Sequence, residues 1–194
     1  MQTKERNEYI DSGWILKKVE DYSILENFNC GNSEEEEVLN EYFQKDVRKH
    51  RDELLSETYA LYEATLDSNC PVALISLCND AVRKEHIIEL LGLSGTKKDY
   101  PFYPAVKIAR FGVIKELQNS GIGSHVINMI KKLFLTNNRT GCRLITLDAY
   151  NSEKVTNFYR KNDFAFMQRK DERRKQRVMF YDLKRLTISE SYHT

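Results

Sequence analysis

Apolar residues recur along this chain at two spacings, and those spacings divide it into strands and helices. Strand-like stretches run from Trp14 to Val19, Glu57 to Glu63, Val72 to Leu77, Arg143 to Ala149, Phe164 to Met167 and Val178 to Leu183. Ile145, Leu147 and Ala149 alternate cleanly onto one face. Three- and four-residue spacing marks the helices. Val38, Leu39, Tyr42, Phe43 and Val47 place one over Glu34 to His50, behind an acidic run, Glu34 to Glu37, that complements a helix dipole at its first turn. Ile122, Val126, Ile130, Leu133 and Phe134 place a longer one from Gly121 to Asn137. Val155, Phe158 and Tyr159 place a third from Ser152 to Lys161, with Asn151 as its N-cap. Asp67-Ser68-Asn69 and Pro71 read as a turn between two strands. Residues 81–104 are the least regular stretch, with an apolar cluster at Ile87, Ile88, Leu90 and Leu91 before Gly92 and Gly95.

One strand changes phase. Between Ala105 and Val113 the apolar positions are Val106 and Ile108, then Phe111 and Val113. A one-residue slip sends the same face from core to solvent, so this shift predicts a β-bulge. A bulge leaves main-chain groups at Phe111, Gly112 and Val113 to bond something other than a neighbouring strand.

The strand runs into a polar turn that carries the clearest chemistry in the chain. Gln118, Gly121 and Gly123 stand as Q-x-x-G-x-G over the first turn of the long helix. The first N–H groups of a helix have no internal partner and are electropositive. Two glycines keep side chains away from those amides. The stretch Gln118, Asn119, Ser120, Gly121, Ile122, Gly123 and Ser124 therefore reads as a pyrophosphate cradle needing neither metal nor a phosphate-binding lysine. No GxxxxGK[ST] is present, and Val126 breaks the GxGxxG of dinucleotide-binding folds. The cradle resembles motif A of the GNAT family of acetyl-CoA-dependent N-acetyltransferases.

A second constellation resembles the other hallmark of that family. A strand ends at Asp148-Ala149-Tyr150-Asn151, and a helix follows with Phe158-Tyr159-Arg160-Lys161 before Phe164. The family pattern there is A-x-x-F-Y-x-K-x-G-F, and Tyr159 falls on its tyrosine. Aminolysis of a thioester expels a thiolate, to which a phenol can deliver a proton. This chain departs from the pattern at Asn162-Asp163, where the family commonly has a hydrophobic residue and glycine. A narrower likeness lies earlier. Phe28-Asn29-Cys30-Gly31, then Leu39-Asn40-Glu41-Tyr42-Phe43, resembles the F-x-C/S-G…L-x-x-[FWL] opening of the GNAT toxin subfamily, whose members acetylate aminoacyl-tRNA.

These resemblances imply an α/β fold: a central mixed β-sheet flanked by helices, in one N-acyltransferase domain spanning 1–194 with its cofactor-binding half at about 105–183. They imply acetyl-CoA as cosubstrate, no metal, pantetheine held by main chain at Phe111 to Val113, Tyr159 as catalytic acid and Asn151 helping to seat the cofactor. The base that deprotonates the amine is left open among Glu57, Glu63, Asp148 and a water chain. The acceptor is an amine on a small molecule, a peptide or an aminoacyl-tRNA, and the partners implied are a homodimer and an antitoxin protein.

Composition narrows this picture without redirecting it. With 194 residues, 41% hydrophobic and 30% charged, the chain has the size and make-up of one globular domain. Thirty Lys and Arg against 29 Asp and Glu give a net charge of +1, so no global field draws nucleic acid or an anionic membrane. No apolar run approaches a membrane span, and MQTKERNEY has no signal-peptide pattern, so the expectation is a cytoplasmic protein with no membrane partner. Cys30, Cys70, Cys78 and Cys142 lack metal-site spacing and read as reduced cysteines. Gln168 to Arg177 is almost wholly charged and reads as a solvated hairpin loop. Its basic members Arg173, Arg174, Lys175 and Arg177, with Lys17, Lys18, Arg48, Lys49 and Arg51, are the local cations an RNA acceptor would need.

Overall fold

The computed structural model describes residues 8–65, 70–92, 100–136 and 140–186. The expected turn at Asp67-Ser68-Asn69, Gly95 and the last residue of the long helix, Asn137, lie outside them. The fold is mixed α/β, as expected. Eight strands, β1 (Glu8–Asp11), β2 (Trp14–Lys18), β3 (Glu57–Glu63), β4 (Ala73–Arg83), β5 (Phe102–Val113), β6 (Leu144–Tyr150), β7 (Ala165–Phe166) and β8 (Gln176–Asp182), form one mixed sheet. Their order is β1-β2-β3-β4-β5-β6-β8-β7. The chain packs as two compact units, Met1–Cys78 with Ala109–Leu133, and Asn79–Ile108 with Phe134–Thr194.

In the first unit β1, β2, β3 and the start of β4 form an antiparallel meander. The hydrophobic pattern gave no sign of β1, because its four residues are exposed or only half-buried. Its turn was nevertheless written in the sequence: Ser12 (φ 49°) and Gly13 (φ 83°) are both left-handed, the requirement of a two-residue hairpin. The expected helix over Glu34–His50 exists but is broken in register. It comprises α1 (Glu34–Glu41), a π-helical turn (Tyr42–Asp46) and α2 (Val47–Asp52). Ser33 and Glu36 form a reciprocal capping box at its start, so the acidic run does act as a helix-capping device. Phe28, Cys30, Tyr42, Phe43 and Val47 share a core with Val19, Leu25, Ala60 and Leu74.

The phase change expected in the Ala105–Val113 strand falls where β5 stops pairing with β6, after Ile108 opposite Leu147. β5 runs from Phe102 to Val113 with Ala105, Val106, Ile108 and Gly112 buried, while Phe111 and Val113 are half-buried. Gly112 is a buried position with no side chain to register as apolar. A Cβ on Gly112 would lie 3.2 Å from Phe43, 3.3 Å from Phe28 and 3.5 Å from the Cys30 Cβ, so the aromatic rings supply the apolar surface instead. Arg110, on the same phase, is exposed and lies 5.1 Å from the Tyr42 ring.

In the second unit β5 and β6 pair in parallel from Ala105 opposite Leu144 to Ile108 opposite Leu147. β6 pairs antiparallel with β8 along its whole length. β4 runs six residues past its expected end at Leu77, because Cys78 to Arg83 alternate exposure while being mostly polar. A short helix, α3 (Lys84–Ile87), buries Ile87 with Val82, Ala105, Leu144, Met167 and Phe180. The remaining helices are α4 (Ile122–Thr136) and α5 (Glu153–Lys161).

Candidate active site

The cradle belongs to the first unit. After β5, Lys115–Leu117 makes a single 3-10 turn, Asn119 takes a left-handed φ of 62° and Gly121 one of 94°. The first bond of α4 runs from His125 N–H to the Gly121 carbonyl, so the amides of Ile122 and Gly123 lie ahead of any helical acceptor. Asn119, Ser120 and Gly121 are exposed, Gly123 and Ser124 half-buried, and Ile122 is turned into the core. A Cβ on Gly121 would meet no atom within 4 Å. Gly121 is thus required by its left-handed backbone, and the space above it is open, which suits an anionic group approaching main-chain amides.

Gln118 does not face that space. Its side-chain amide donates to the carbonyls of Cys30 and Val113, and Lys115 N–H donates to Asn29 O at 3.1 Å. The Phe28–Gly31 turn is therefore fastened to the underside of the cradle. Asn40 holds that turn from α1: its Oδ1 accepts from Cys30 N–H at 2.8 Å and from the Cys30 thiol, while its Nδ2 donates to Gly31 O at 2.9 Å and to Asn29 Oδ1. Gly31 has a φ of 133°, and a Cβ there would sit 2.1 Å from the Glu36 carboxylate that closes the capping box. Burial, with Glu36 nearby, pushes the Cys30 thiol up to about 11, which leaves it protonated and inert, as expected of a core cysteine.

The second unit carries the other constellation. Asn151 follows β6, but Ser152, not Asn151, caps α5 by accepting from Val155 N–H. The Asn151 amide instead donates to the carbonyls of Glu172 (2.9 Å) and Arg174 (3.0 Å), and its N–H donates to Lys175 O. Tyr159 lies on the inner face of α5, 8% exposed, with Phe158 and Phe164 rings 5.0 and 5.6 Å away. Burial pushes its phenol well above the ordinary tyrosine range, so it stays protonated. Beyond α5, Phe164 N–H bonds Tyr159 O and Asp163 N–H bonds Arg160 O, a Schellman closure with Asp163 at φ 64°. Aspartate takes the left-handed position where glycine is common, and the turn survives the departure noted in the sequence.

Two of the carboxylates read as base candidates are engaged in ion pairs. Glu57 pairs with Lys18 (3.4 Å) and Arg51 (3.8 Å), and Asp148 pairs with Lys107. Glu63 is half-buried and accepts from Thr65. Among the described residues no group of His, Cys, Asp and Glu gathers as a metal site, and no helix is long and apolar enough to cross a membrane.

Residues 32–164 match the sequence model of the acetyltransferase (GNAT) family. The chain belongs to that family. No curated protein matches the sequence significantly. Solved structures with similar folds include a tyrosine-to-phenylalanine variant of the toxin AtaT bound to the C-terminus of the antitoxin AtaR and acetyl-CoA. That likeness has a TM-score of 0.62 at 19% identity, covering 91% of this chain and 98% of that one. AtaT complexed with acetyl-methionyl-tRNAfMet gives 0.67 at 19%, covering 90% and 98%. A tyrosine-to-phenylalanine variant of KacT gives 0.64 at 18%, covering 91% and 98%. At these identities the likeness is one of fold.

Within a GNAT acetyltransferase, the features that sequence reading missed are the supports. Asn40 and Asn29, the two asparagines that hold the turn, looked like ordinary polar positions, and nothing in the sequence pointed to the Gln118 side-chain amide as a brace. Only the spacing of Gly31 and Phe28 carried a signal. The contacts they make span up to 88 residues, which no local pattern reports.

Proposed function

We propose that this GNAT acetyltransferase moves the acetyl group of acetyl-CoA directly onto the amino group of an aminoacyl-tRNA. The observation that carries this reading is the hydrogen-bonded union of the Phe28–Gly31 turn with the cradle through Gln118 and Lys115. The sequence likeness to the toxin subfamily thereby coincides with a built structural element. The similar folds of AtaT complexed with acetyl-methionyl-tRNAfMet and of AtaT bound to acetyl-CoA support it.

The roles follow from the chemistry of each group. Amides at Ile122 and Gly123 hold the pyrophosphate, with Asn119, Ser120, Gly121 and Ser124 shaping the space around it and Gln118 bracing the turn beneath. Main chain at Phe111, Gly112 and Val113 holds the pantetheine arm and polarises the thioester carbonyl. The amine nitrogen attacks that carbonyl, the C–N bond forms, the C–S bond breaks, and Tyr159 delivers its proton to the departing thiolate. Asn151 helps to seat the cofactor and pins the loop beside it. With Glu57 and Asp148 ion-paired, Glu63 and a water chain are the remaining candidates for the base. The reading treats 1–194 as one acetyltransferase domain, with an antitoxin protein and a second copy of the chain as partners to be sought.

The test is acetylation of total charged tRNA with labelled acetyl-CoA, alongside calorimetry with acetyl-CoA, CoA and ATP. Labelled tRNA, with saturable binding of the two CoA species and not ATP, supports the reading. Acetyl-CoA binding without labelled tRNA moves the acceptor to a free amine or peptide. No CoA binding removes the cradle.

A further inference from the structure

The near-neutral charge of the chain conceals an uneven distribution. Residues 168–177 hold six of the 30 Lys and Arg and two of the 29 Asp and Glu, a net +4 in ten residues that leaves the rest of the chain at −3. The structure sorts these charges. Arg177 does not belong to the exposed cluster that the sequence suggested: it is buried, its guanidinium 3.6 Å from the Phe166 ring centre and paired with the buried Asp171 at 3.2 Å. Asp171 also accepts from Val178 N–H at 2.9 Å. Arg169 and Lys170 line an open groove of about 360 Å³ together with Glu85, His86 and Glu89, whose carboxylates offset them. Arg173, Arg174 and Lys175 remain exposed at the tip beside one acid, Glu172. Among the described residues Arg173 and Arg174 make no ion pair.

The tip is also tied back to the fold by hydrogen bonds. Glu172 N–H bonds Arg169 O and Arg174 N–H bonds Asp171 O, giving two consecutive turns, and Asn151 grips the loop through the carbonyls of Glu172, Arg174 and Lys175. A solvated charge run needs neither a buried Asp–Arg clip nor an asparagine clamp. Because Asn151 stands at the start of the helix bearing Tyr159, the clamp fixes these cations relative to that helix. None of the exposed large apolar side chains lies in this loop. A protein-binding surface would be expected to offer such an anchor, whereas a polyanion needs only placed cations.

We propose that Arg173, Arg174 and Lys175 form a preorganised phosphate-binding surface that seats the sugar-phosphate backbone of an RNA acceptor, an inference that rests on the aminoacyl-tRNA reading. The two arginine forks and the lysine ammonium match phosphate oxygens, and three such contacts add about 2–3 to the steepness of a log affinity against log salt plot.

The experiment compares the full chain with a triple variant, Arg173→Gln, Arg174→Gln and Lys175→Gln, and with the groove pair Arg169→Gln and Lys170→Gln. Binding of uncharged total tRNA is measured across salt, KM for charged tRNA at fixed salt, and acetyl-CoA affinity by calorimetry. A polyglutamate peptide is included as competitor. The triple variant is expected to weaken tRNA binding about tenfold at 0.1 M salt, flatten the slope by about 2–3 and raise KM, with acetyl-CoA affinity within twofold and the groove pair affected less. An unchanged slope with tRNA still acetylated overturns the loop assignment and leaves the acceptor reading standing. Loop-dependent tRNA binding without acetylation does the reverse. No tRNA binding by the unaltered chain overturns both. Polyglutamate displacing tRNA at lower concentration than RNA itself assigns the loop to an acidic protein and overturns the RNA proposal.

Discussion

The side-chain amide of Gln118 donates to the main-chain carbonyl of Cys30, 88 residues earlier, and so ties the turn before α4 to the turn that precedes α1. Replacing Gln118 with alanine leaves that carbonyl unpartnered, at about 1–2 kcal/mol. The Gln118→Ala variant is expected to melt lower and to bind acetyl-CoA about five- to tenfold more weakly. Gln118→Glu should be worse on both counts, because it sets a carboxylate against a carbonyl oxygen. Weaker binding with an unchanged melting temperature would mean the side chain touches the ligand rather than the fold.

Two glycines in the same region are predicted to tolerate no methyl group. Gly31→Ala would collide with the Glu36 carboxylate and force a left-handed backbone on alanine, losing half the capping box, for about 2 kcal/mol. Gly112→Ala would press on two packed rings at 3.2 and 3.3 Å and should cost about 1–2 kcal/mol. Urea denaturation of both proteins reads these losses directly. Gly121→Ala, by contrast, meets only empty space, so beyond about 1–2 kcal/mol of backbone strain its effect should be lost acetyl-CoA affinity.

Tyr159→Phe is expected to lower kcat about a hundredfold and to leave acetyl-CoA affinity within twofold. The same substitution should alter the pH dependence of stability. Burial raises the Tyr159 phenol above its unfolded value near 10, so the unfolded state releases a proton that the folded state keeps. Stability from this group is complete below pH 10 and falls as pH rises beyond it. Tyr62, pushed up to about 12 by burial, and Tyr181, also raised, act in the same direction. Melting curves between pH 9 and 11 should fall less steeply for Tyr159→Phe than for the unaltered chain. Equal slopes would place the phenol in contact with water.

Asp171→Ala should strand the buried Arg177 guanidinium and destabilise the protein by about 3 kcal/mol, less whatever its stacking on Phe166 retains. Asp171→Asn keeps one acceptor for Val178 N–H and should recover part of the loss. Urea midpoints for the pair separate the charge from the hydrogen bond.

The two constellations were readable because they are local: a glycine pair over a helix start, and a tyrosine at helical spacing before a turn. Most strands and the three longer helices were readable because apolar residues recur along one face of each. The rest fails for identifiable reasons. β1 buries too little to leave an apolar pattern, and the second half of β4 is polar although still strand. Gly112 hides a core position by having no side chain. Asn151 looks like a helix cap from its neighbours, and Arg177 looks like a surface cation from its. Each has its partner in a segment that sequence adjacency does not reveal.

The π-helical turn at Tyr42–Asp46 has a bearing on ancestry. Such a turn is what a single inserted residue leaves in an α-helix whose two ends stay put. Here the extra residue lets Tyr42 and Phe43, neighbours in sequence, both face inward, one bonding Ser56 through its hydroxyl and the other lying under Gly112. A homologue one residue shorter in this helix would keep its capping box and α2 in place while forfeiting one of those rings. Alignments across this point should therefore open a gap inside the helix, not in the loops beside it.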